Sequence, residues 1–522
     1  MARVAYQPRL PLSGALALTL VLTVVFSGPA ASQTTASGSD FRISAGTSIR
    51  LDGQGPSTFG DSIGIDFRGG ILRAAWADNS SSADLDLATA AIGVASDGSA
   101  SVGPTVSVRA AEDQTGASLA IDPSVAGRVL AVARTGSVSS GSPGLLRARS
   151  TDGGSTWMSA IDPVGVPDSE VSSDLACDGF GNCFLAFLAA SDPFNPQLRL
   201  AVSTNGGQTF SPVALPDVPG LEGDVSVAVG AGSVWLVFTG FDTTPRLSTL
   251  VAPVTGLGAI GTFSRQEVPR TTFGNKPEIA VGPGGKALVV TQHVENGSLS
   301  FVEASVDPDG LGPAGFQAPV RVATVGDYPF QPMPQGAWDR TRDRAYIVYR
   351  QQQFADRAGD VLIRSSSNSG LSWSAPVRVN ADVASEDRLV PNVAVDSATG
   401  NVGVAWYDFR AGPGGAQLLG RVLTAEDAPP TAVAVAAFRT ERREDGVRLT
   451  WRSPREAGLL GFRVLRSTTR TGVYRRVGAL ISRSHGAGAT YSYLDRHHRG
   501  GWYRLEIVML DGTTVLVAPI RA

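Results

Sequence analysis

The chain has 522 residues, 43% of them apolar, 17% charged and 7% aromatic, which excludes a disordered chain and exceeds what one ordinary domain needs. Its 61 Gly and 32 Pro follow no triplet period, so collagen is excluded and a turn-rich, all-β architecture is favoured. A formal charge of -3 argues against a general nucleic-acid binder.

At the start of the chain, Arg3 and Arg9 flank or precede an apolar run from Leu10 through Phe26, and Ala30 and Ser32 place small residues before Gln33. Residues 1–32 therefore read as a secretory signal peptide. The run is shorter than the roughly 20 residues of a spanning helix, and no Cys follows it to carry a lipid. The expected destination is secreted, periplasmic or cell-surface, with no stable membrane insertion.

A string of the form polar-x-small-x-Asp/Gly, followed by a turn and an apolar strand, then recurs along the chain. Its copies are Ser62–Asp66, Ser118–Asp122, Asp174–Asp178, Ser226–Gly230, Glu278–Gly282, Gln335–Asp339 and Asn392–Asp396. Seven copies across 330 residues give about 55 per repeat, the length of a four-stranded blade. The middle position is always Gly or Ala: Gly64, Ala120, Ala176, Ala228, Ala280, Ala337 and Ala394. Inner strands that converge on an axis leave no room for more, and the strand period of two puts the polar residues on the same face, ringing a channel mouth. Residues 40–425 are thus expected to form a seven-bladed β-propeller, with six blades as the alternative. Residues 40–51 are expected to supply the outer strand that completes the last blade after Leu423.

A second motif lies between these strings. It is complete at Ser150–Trp157 (STDGGSTW), and it recurs at Ser203–Phe210 (STNGGQTF) and Ser366–Trp373 (SSNSGLSW). Worn copies lie at Ser96-Asp97-Gly98, Gly256–Phe263 and Asp307–Phe316. A short Asp or Asn accepts backbone N–H bonds within its own turn, Gly supplies positive φ, and the aromatic buries itself between layers. The motif resembles the Asp box of the bacterial neuraminidase repeat, found in sialidases and other β-propellers. That resemblance implies that the boxes sit on the face away from a binding or active site.

Cys177 and Cys183 bracket a polar turn between two apolar strands, and an exported hairpin of this kind is expected to carry a disulfide worth about 2 kcal/mol. These are the only two cysteines, and His293 is the only histidine before residue 480, so neither a metal site nor a cofactor is expected.

Past a Glu-Asp-Ala-Pro-Pro linker at 426–431 the charge reverses. Sixteen Arg against seven acids leave residues 431–522 at +9, whereas 28 basic against 40 acidic side chains leave the remainder at −12. Seven strand candidates follow, at 432–439, 447–452, 462–467, 474–480, 491–495, 503–510 and 514–520, which suits an immunoglobulin-like β-sandwich over 432–522. Trp451 in Val-Arg-Leu-Thr-Trp and Tyr503 in Tyr-Arg-Leu-Glu-Ile resemble the fibronectin type III pattern. The basic module is expected to associate with the cell envelope. His485 and the His497-His498 pair lack a carboxylate or Cys partner at ligand spacing and read as solvated loop residues.

The sialidase resemblance implies an arginine cluster for a substrate carboxylate, an acid/base Asp and a Tyr nucleophile activated by Glu. Phe41-Arg42-Ile43-Ser44 matches three of four positions of the family's Phe/Tyr-Arg-Ile-Pro motif, but its repeat phase assigns it to an outer strand. The candidate ligand-binding residues on the mouth face are Asp78, Asp174, Glu278, Tyr328, Asp408 and Arg410, with Glu386 in a loop on that face. Trp76-x-Asp78 and Trp406-x-Asp408 occupy equivalent places in the first and last repeats. Each is either a packed Trp with an Asp capping the next turn or a ligand contact. The functional expectation is a non-catalytic recognition scaffold for a glycan or extracellular protein, the alternative being an exo-sialidase type of glycoside hydrolase.

Overall fold

The computed structural model describes residues 34–35, 39–49 and 62–522, except 82–83, 109–112, 136–143, 164–171, 190–196, 219–220, 242–244, 270–273, 296–298, 328–332, 353–358, 382–386, 413–414, 425–434, 454–458, 471, 483–488, 497, 499, 510–513 and 518. The leader expected at 1–32 and the linker at 426–431 lie outside the described residues. All regular structure among the described residues is strand apart from a 3₁₀ turn at Pro283–Gly285.

Seven sheets are built from the repeats among the described residues, antiparallel throughout except that Thr34–Thr35 runs parallel to Val377–Arg378 in the sixth. Their first strands are Gly64–Arg68, Gln114–Ile121, Ser173–Cys177, Leu221–Gly230, Gly274–Val281, Gln335–Asp339 and Arg388–Asp396, each paired with the next strand in sequence. These first strands neighbour one another in order, and the seventh returns to the first, so the sheets form a closed ring as in a β-propeller. Between sheets the faces interlock through fully buried aromatics. Trp76, Trp235, Tyr346 and Trp406 are each at most 1% exposed, and Phe316 meets Trp235 edge-on at 5.9 Å. A side chain of that size contributes on the order of 4–6 kcal/mol by removing 150–250 Å² from water.

Convergence explains the small residues. A Cβ on Gly64 would lie 2.5 Å from Leu119 N on the neighbouring first strand, closer than any real contact. The turn residues at the ends of these strands then fasten the hairpins: the Oδ1 atoms of Asp122, Asp178, Asp339 and Asp396 accept N–H bonds from Ser124, Phe180, Thr341 and Ala398.

The second motif folds identically in its three fuller copies. Thr156 N donates to Asp152 Oδ1 at 2.9 Å, Thr209 N to Asn205 Oδ1 at 3.0 Å and Ser372 N to Asn368 Oδ1 at 3.0 Å. In each copy the leading Ser hydroxyl donates to that same Oδ1 and accepts an N–H from Gly154, Gly207 or Gly370. The worn copies keep the job with other atoms. Asp307 takes the place of the Ser, accepting from Gly310 N at 2.8 Å, and Asp309 takes the place of the Asp, accepting from Ala314 N. In the fourth sheet, Asn182 of the third sheet reaches over, accepting from Gly258 N at 2.7 Å and donating to Gly256 O at 3.0 Å.

The seventh sheet holds only three strands from its own repeat, Arg388–Asp396, Asn401–Asp408 and Gly415–Leu423. Residues from the other end of the chain complete it: Phe41 pairs with Gly420, Arg42 with Leu419, Ser48 with Ala416 and Ile49 with Gly415. Asp40 locks this junction. Its carboxylate lies 2.9 Å from both Arg410 Nη2 and Arg421 Nη2 and accepts from Ala381 N at 3.1 Å. Cys177 and Cys183 stand directly opposite each other in the third sheet's first hairpin and are disulfide-bonded, with Cα atoms 4.1 Å apart.

The C-terminal segment forms two sheets. Ala436–Arg443, Gly446–Ser453 and Ala489–Arg496 make one; Arg475–Ser482, Leu459–Ser467, Trp502–Met509 and Thr514–Leu516 make the other, with Ile520–Arg521 also on Trp502–Met509. Trp451 is 1% exposed, stacked on Tyr491 at 5.7 Å and edge-on to Phe462 at 5.4 Å. Tyr503 is buried and donates its hydroxyl to Asp495 at 2.8 Å. The first strand begins four residues later than its expected start at 432, and the last one breaks before Ile520, where Pro519 cannot donate to the ladder.

Replacing Asp40 with Ala removes the carboxylate between two guanidinium groups, one of which, Arg421, is 1% exposed. Losing one partner of a buried pair costs about 3–5 kcal/mol. A thermal melt of Asp40→Ala is expected to show a lower Tm with an unchanged far-UV spectrum in the cold.

Candidate functional site

Among the polar residues that open the recurrent strings, those of the second to sixth sheets form an unbroken hydrogen-bonded belt around the axis, and that of the seventh reaches the first sheet. Ser118 Oγ donates to Asp174 Oδ1 at 2.7 Å, and Ser226 Oγ lies 3.0 Å from Asp174 Oδ2 and 2.9 Å from Glu278 Oε2. Gln335 Nε2 donates to Glu278 Oε1 at 2.6 Å, and Asn392 Nδ2 donates to Ile63 O at 2.5 Å. Each link joins one sheet to the next.

A proton count fixes the charge of this belt. A serine hydroxyl carries one hydrogen, yet Ser226 touches a carboxyl oxygen on either side, so one of the two carboxyls must itself donate. Asp174 accepts from Ser118, from Leu175 N at 2.8 Å and from Val227 N at 2.8 Å, all of which favour its anion, although burial pushes its pKa up. Glu278 is pushed from 4.5 up to about 8, first by burial and then by the Asp174 charge. Glu278 therefore carries the proton at neutral pH, donating to Ser226, which donates to Asp174.

Behind the belt, toward the turn ends of the strands, lies an axial cavity of about 480 Å³. Ala120, Ala176, Ala228, Ala280, Ala337 and Ala394 line it, and at its turn end it is bordered by Asp66, Arg68, Arg340 and Asp396. Gly64 has no side chain to offer.

Asp78 and Asp408 sit at matching strand ends in the first and seventh sheets, and both cap turns. Asp78 accepts from Ser48 Oγ and from Ser80 N and Oγ, each of the latter at 2.9 Å. Asp408 accepts from Arg410 N at 2.9 Å, Trp406 Nε1 at 2.9 Å and Arg410 Nε at 2.8 Å. Arg410 bridges Asp408 to Asp40, and Arg388, fully buried, lies 3.4 Å from Asp408 and 3.8 Å from Asp360. These contacts hold Asp408 below its ordinary range against burial, which pushes the other way. The two groups of candidates remain separate: Asp174 and Glu278 belong to the axial belt, while Asp78, Asp408 and Arg410 belong to the junction of the first and seventh sheets. Tyr328 and Glu386 lie outside the described residues. Arg42 sits on the outer strand of the seventh sheet, exposed, donating to Thr47 Oγ1 at 3.4 Å.

Arg340 escaped the sequence reading. Its signal was present: the fourth and fifth strings end in Gly230 and Gly282 where the others end in Asp.

No family model matches the chain, and no curated protein sequence matches it. Solved structures with similar chain traces include a protein of unknown function from Dyadobacter fermentans, 14% identical, with a TM-score of 0.43 over 60% of this chain and 94% of that one. An α-L-arabinanase from Penicillium chrysogenum is 13% identical, with a TM-score of 0.42 over 76% of this chain and 100% of that one. A Trypanosoma rangeli sialidase is 12% identical, with a TM-score of 0.41 over 80% and 86%. With TM-scores below 0.5, these likenesses assign this chain no activity.

The belt predicts a pH dependence. Because the pKa of Glu278 is raised in the fold, its contribution to stability is complete below about 4.5 and is lost as pH rises through about 8. Urea unfolding from pH 5 to pH 9 is expected to show the wild type weakening across that window, with Glu278→Gln flatter.

Proposed function

We propose that residues 40–425 form a seven-bladed, sialidase-like β-propeller with Asp-box turns, followed by a fibronectin type III-like sandwich at 432–522. The chain is exported after loss of residues 1–32 and acts as a recognition scaffold for a glycan or an extracellular protein. The basic tail, at +9 by its Arg and acid content, tethers it to the anionic cell envelope. The observation that carries the recognition reading is the state of the carboxyl groups on the face opposite the Asp boxes. Asp78 and Asp408 are consumed by turn caps and ion pairs, and Asp174 by belt donors, so they position backbone rather than await a substrate.

One observation favours a glycosidase, though one working through two carboxyls rather than the Tyr nucleophile of the exo-sialidase type. Asp174 and Glu278 are neighbouring carboxyls with one ionised and one protonated near neutrality, which is the division of labour that glycoside hydrolysis requires. The belt occupies both with internal hydrogen bonds, which weighs against it. Fold by itself does not decide.

A fluorogenic sialoside and a fluorogenic arabinofuranoside, offered to the same preparation as a glycan array, separate the readings. The expected outcome is saturable binding without turnover. Turnover above background that Glu278→Gln abolishes would establish the glycosidase instead.

A further inference from the structure

At the turn end of the axial cavity, away from the carboxyl belt, two arginines, Arg340 and Arg68, stand beside the carboxylates of Asp66 and Asp396. Arg340 follows the sixth string and reaches back across two sheets: its Nε donates to Val281 O at 2.9 Å and its Nη2 to Val229 O at 2.5 Å. Those carbonyls belong to the fifth and fourth sheets, whose strings end in Gly282 and Gly230. A Cβ on Gly230 would lie 2.8 Å from Arg340 Nη2, and one on Gly282 would lie 2.6 Å from the Trp338 ring. The departure at Gly230 is therefore coupled to the arginine that crosses it, and the departure at Gly282 to the Trp338 ring.

They also strip charge from that sector. The other five strings keep their carboxylates, but these are engaged. Asp66 accepts from Phe67 N, Ile121 N and Arg68 Nε; Asp396 accepts from Gly70 N and Ala398 N. Asp122 and Asp339 pair with Arg128 and Arg342, and Asp178 accepts from Asn182. The Arg340 side chain donates only to carbonyls among the described residues, and its Nη1 donates to none of them. Arg68 borders the same cavity with its side chain 40% exposed. Burial, and after it the nearby Arg68 charge, lower the pKa of Arg340, with the Asp66 charge opposing them.

We propose that the turn end of the axial cavity is an anion site in which Arg340 and Arg68 bind an oxyanion group, a carboxylate or sulfate, carried by a small ligand. A guanidinium presents a planar fork to such a group, and the cavity of about 480 Å³ accommodates the size of a sugar acid. The site lies on the side opposite the belt and does not depend on the recognition reading.

The test compares sodium sulfate with sodium chloride at equal ionic strength, by thermal melt and by titration calorimetry, and repeats both with sodium glucuronate. Three proteins are compared: wild type, Arg340→Met, and Gly230→Asp, which keeps the arginine and restores the missing carboxylate beside it. The wild type is expected to gain about 2 °C or more over chloride and to show saturable heat with either anion. Sulfate also stabilises proteins in general, so the two variants set that background, and each is expected to lose the excess. A larger response to glucuronate than to sulfate would mark a sugar acid as the preferred class; the reverse would mark a sulfate ester. Equal shifts in all three proteins, or no heat from the wild type with either anion, would overturn the proposal. If Arg340→Met fails to fold, Gly230→Asp decides alone.

Discussion

Where seven strands approach one axis, their backbones come too close for side chains yet do not pair as a sheet, so polar main-chain groups facing the neighbouring strand need another partner. In five of the seven gaps the structure answers with side chains of the recurrent strings, which reach across. Asp66 accepts from Ile121 N, Ser118 from Leu175 N, Asp174 from Val227 N, Ser226 from Ile279 N and Asp396 from Gly70 N, while Asn392 donates to Ile63 O. Every other feature of the ring follows from this. The polar position of the string serves the next strand, the small position lets the strands approach, and the last position closes the turn.

The same constraint explains what could be read from the chain in advance. Convergence forces Gly or Ala at one phase of a two-residue period, and that restriction survives divergence better than any motif, so repeat count and strand phase were legible. The composite seventh sheet followed from counting strands after Asn392. Residue chemistry was less so. That Ser62, Ser118, Asp174, Ser226, Glu278, Gln335 and Asn392 ring the axis was foreseeable; that several of them bind one another was not, because spacing along a chain says nothing about distance around a ring. Asp78 and Asp408 remained ambiguous for a related reason, since a turn-capping carboxylate and a ligand-facing one share the same local pattern. The Asp307–Phe316 copy looked worn because its Ser had become Asp and its turn is two residues longer, although its carboxylates still accept N–H bonds within the turn.

The two ends of the axial cavity are electrostatically unlike. On the belt side two carboxyls share a hydroxyl and hold one proton between them, so their charge is met internally. On the turn side a guanidinium rests on carbonyl dipoles, with two carboxylate positions surrendered to glycine. A ring of near-identical repeats thus gains polarity through a few departures from its own pattern. Those departures, rather than the repeats, are where function is to be sought.

The claim that crowding between converging first strands governs the fold is tested most directly at Gly64, whose added Cβ would press on the backbone at Leu119 rather than on a movable side chain. Urea unfolding of Gly64→Ala against wild type is the measurement. The account predicts a loss of about 1–3 kcal/mol, as for overpacking of a filled site. A variant as stable as the wild type would show that the first strands have room to spare, and would contradict it.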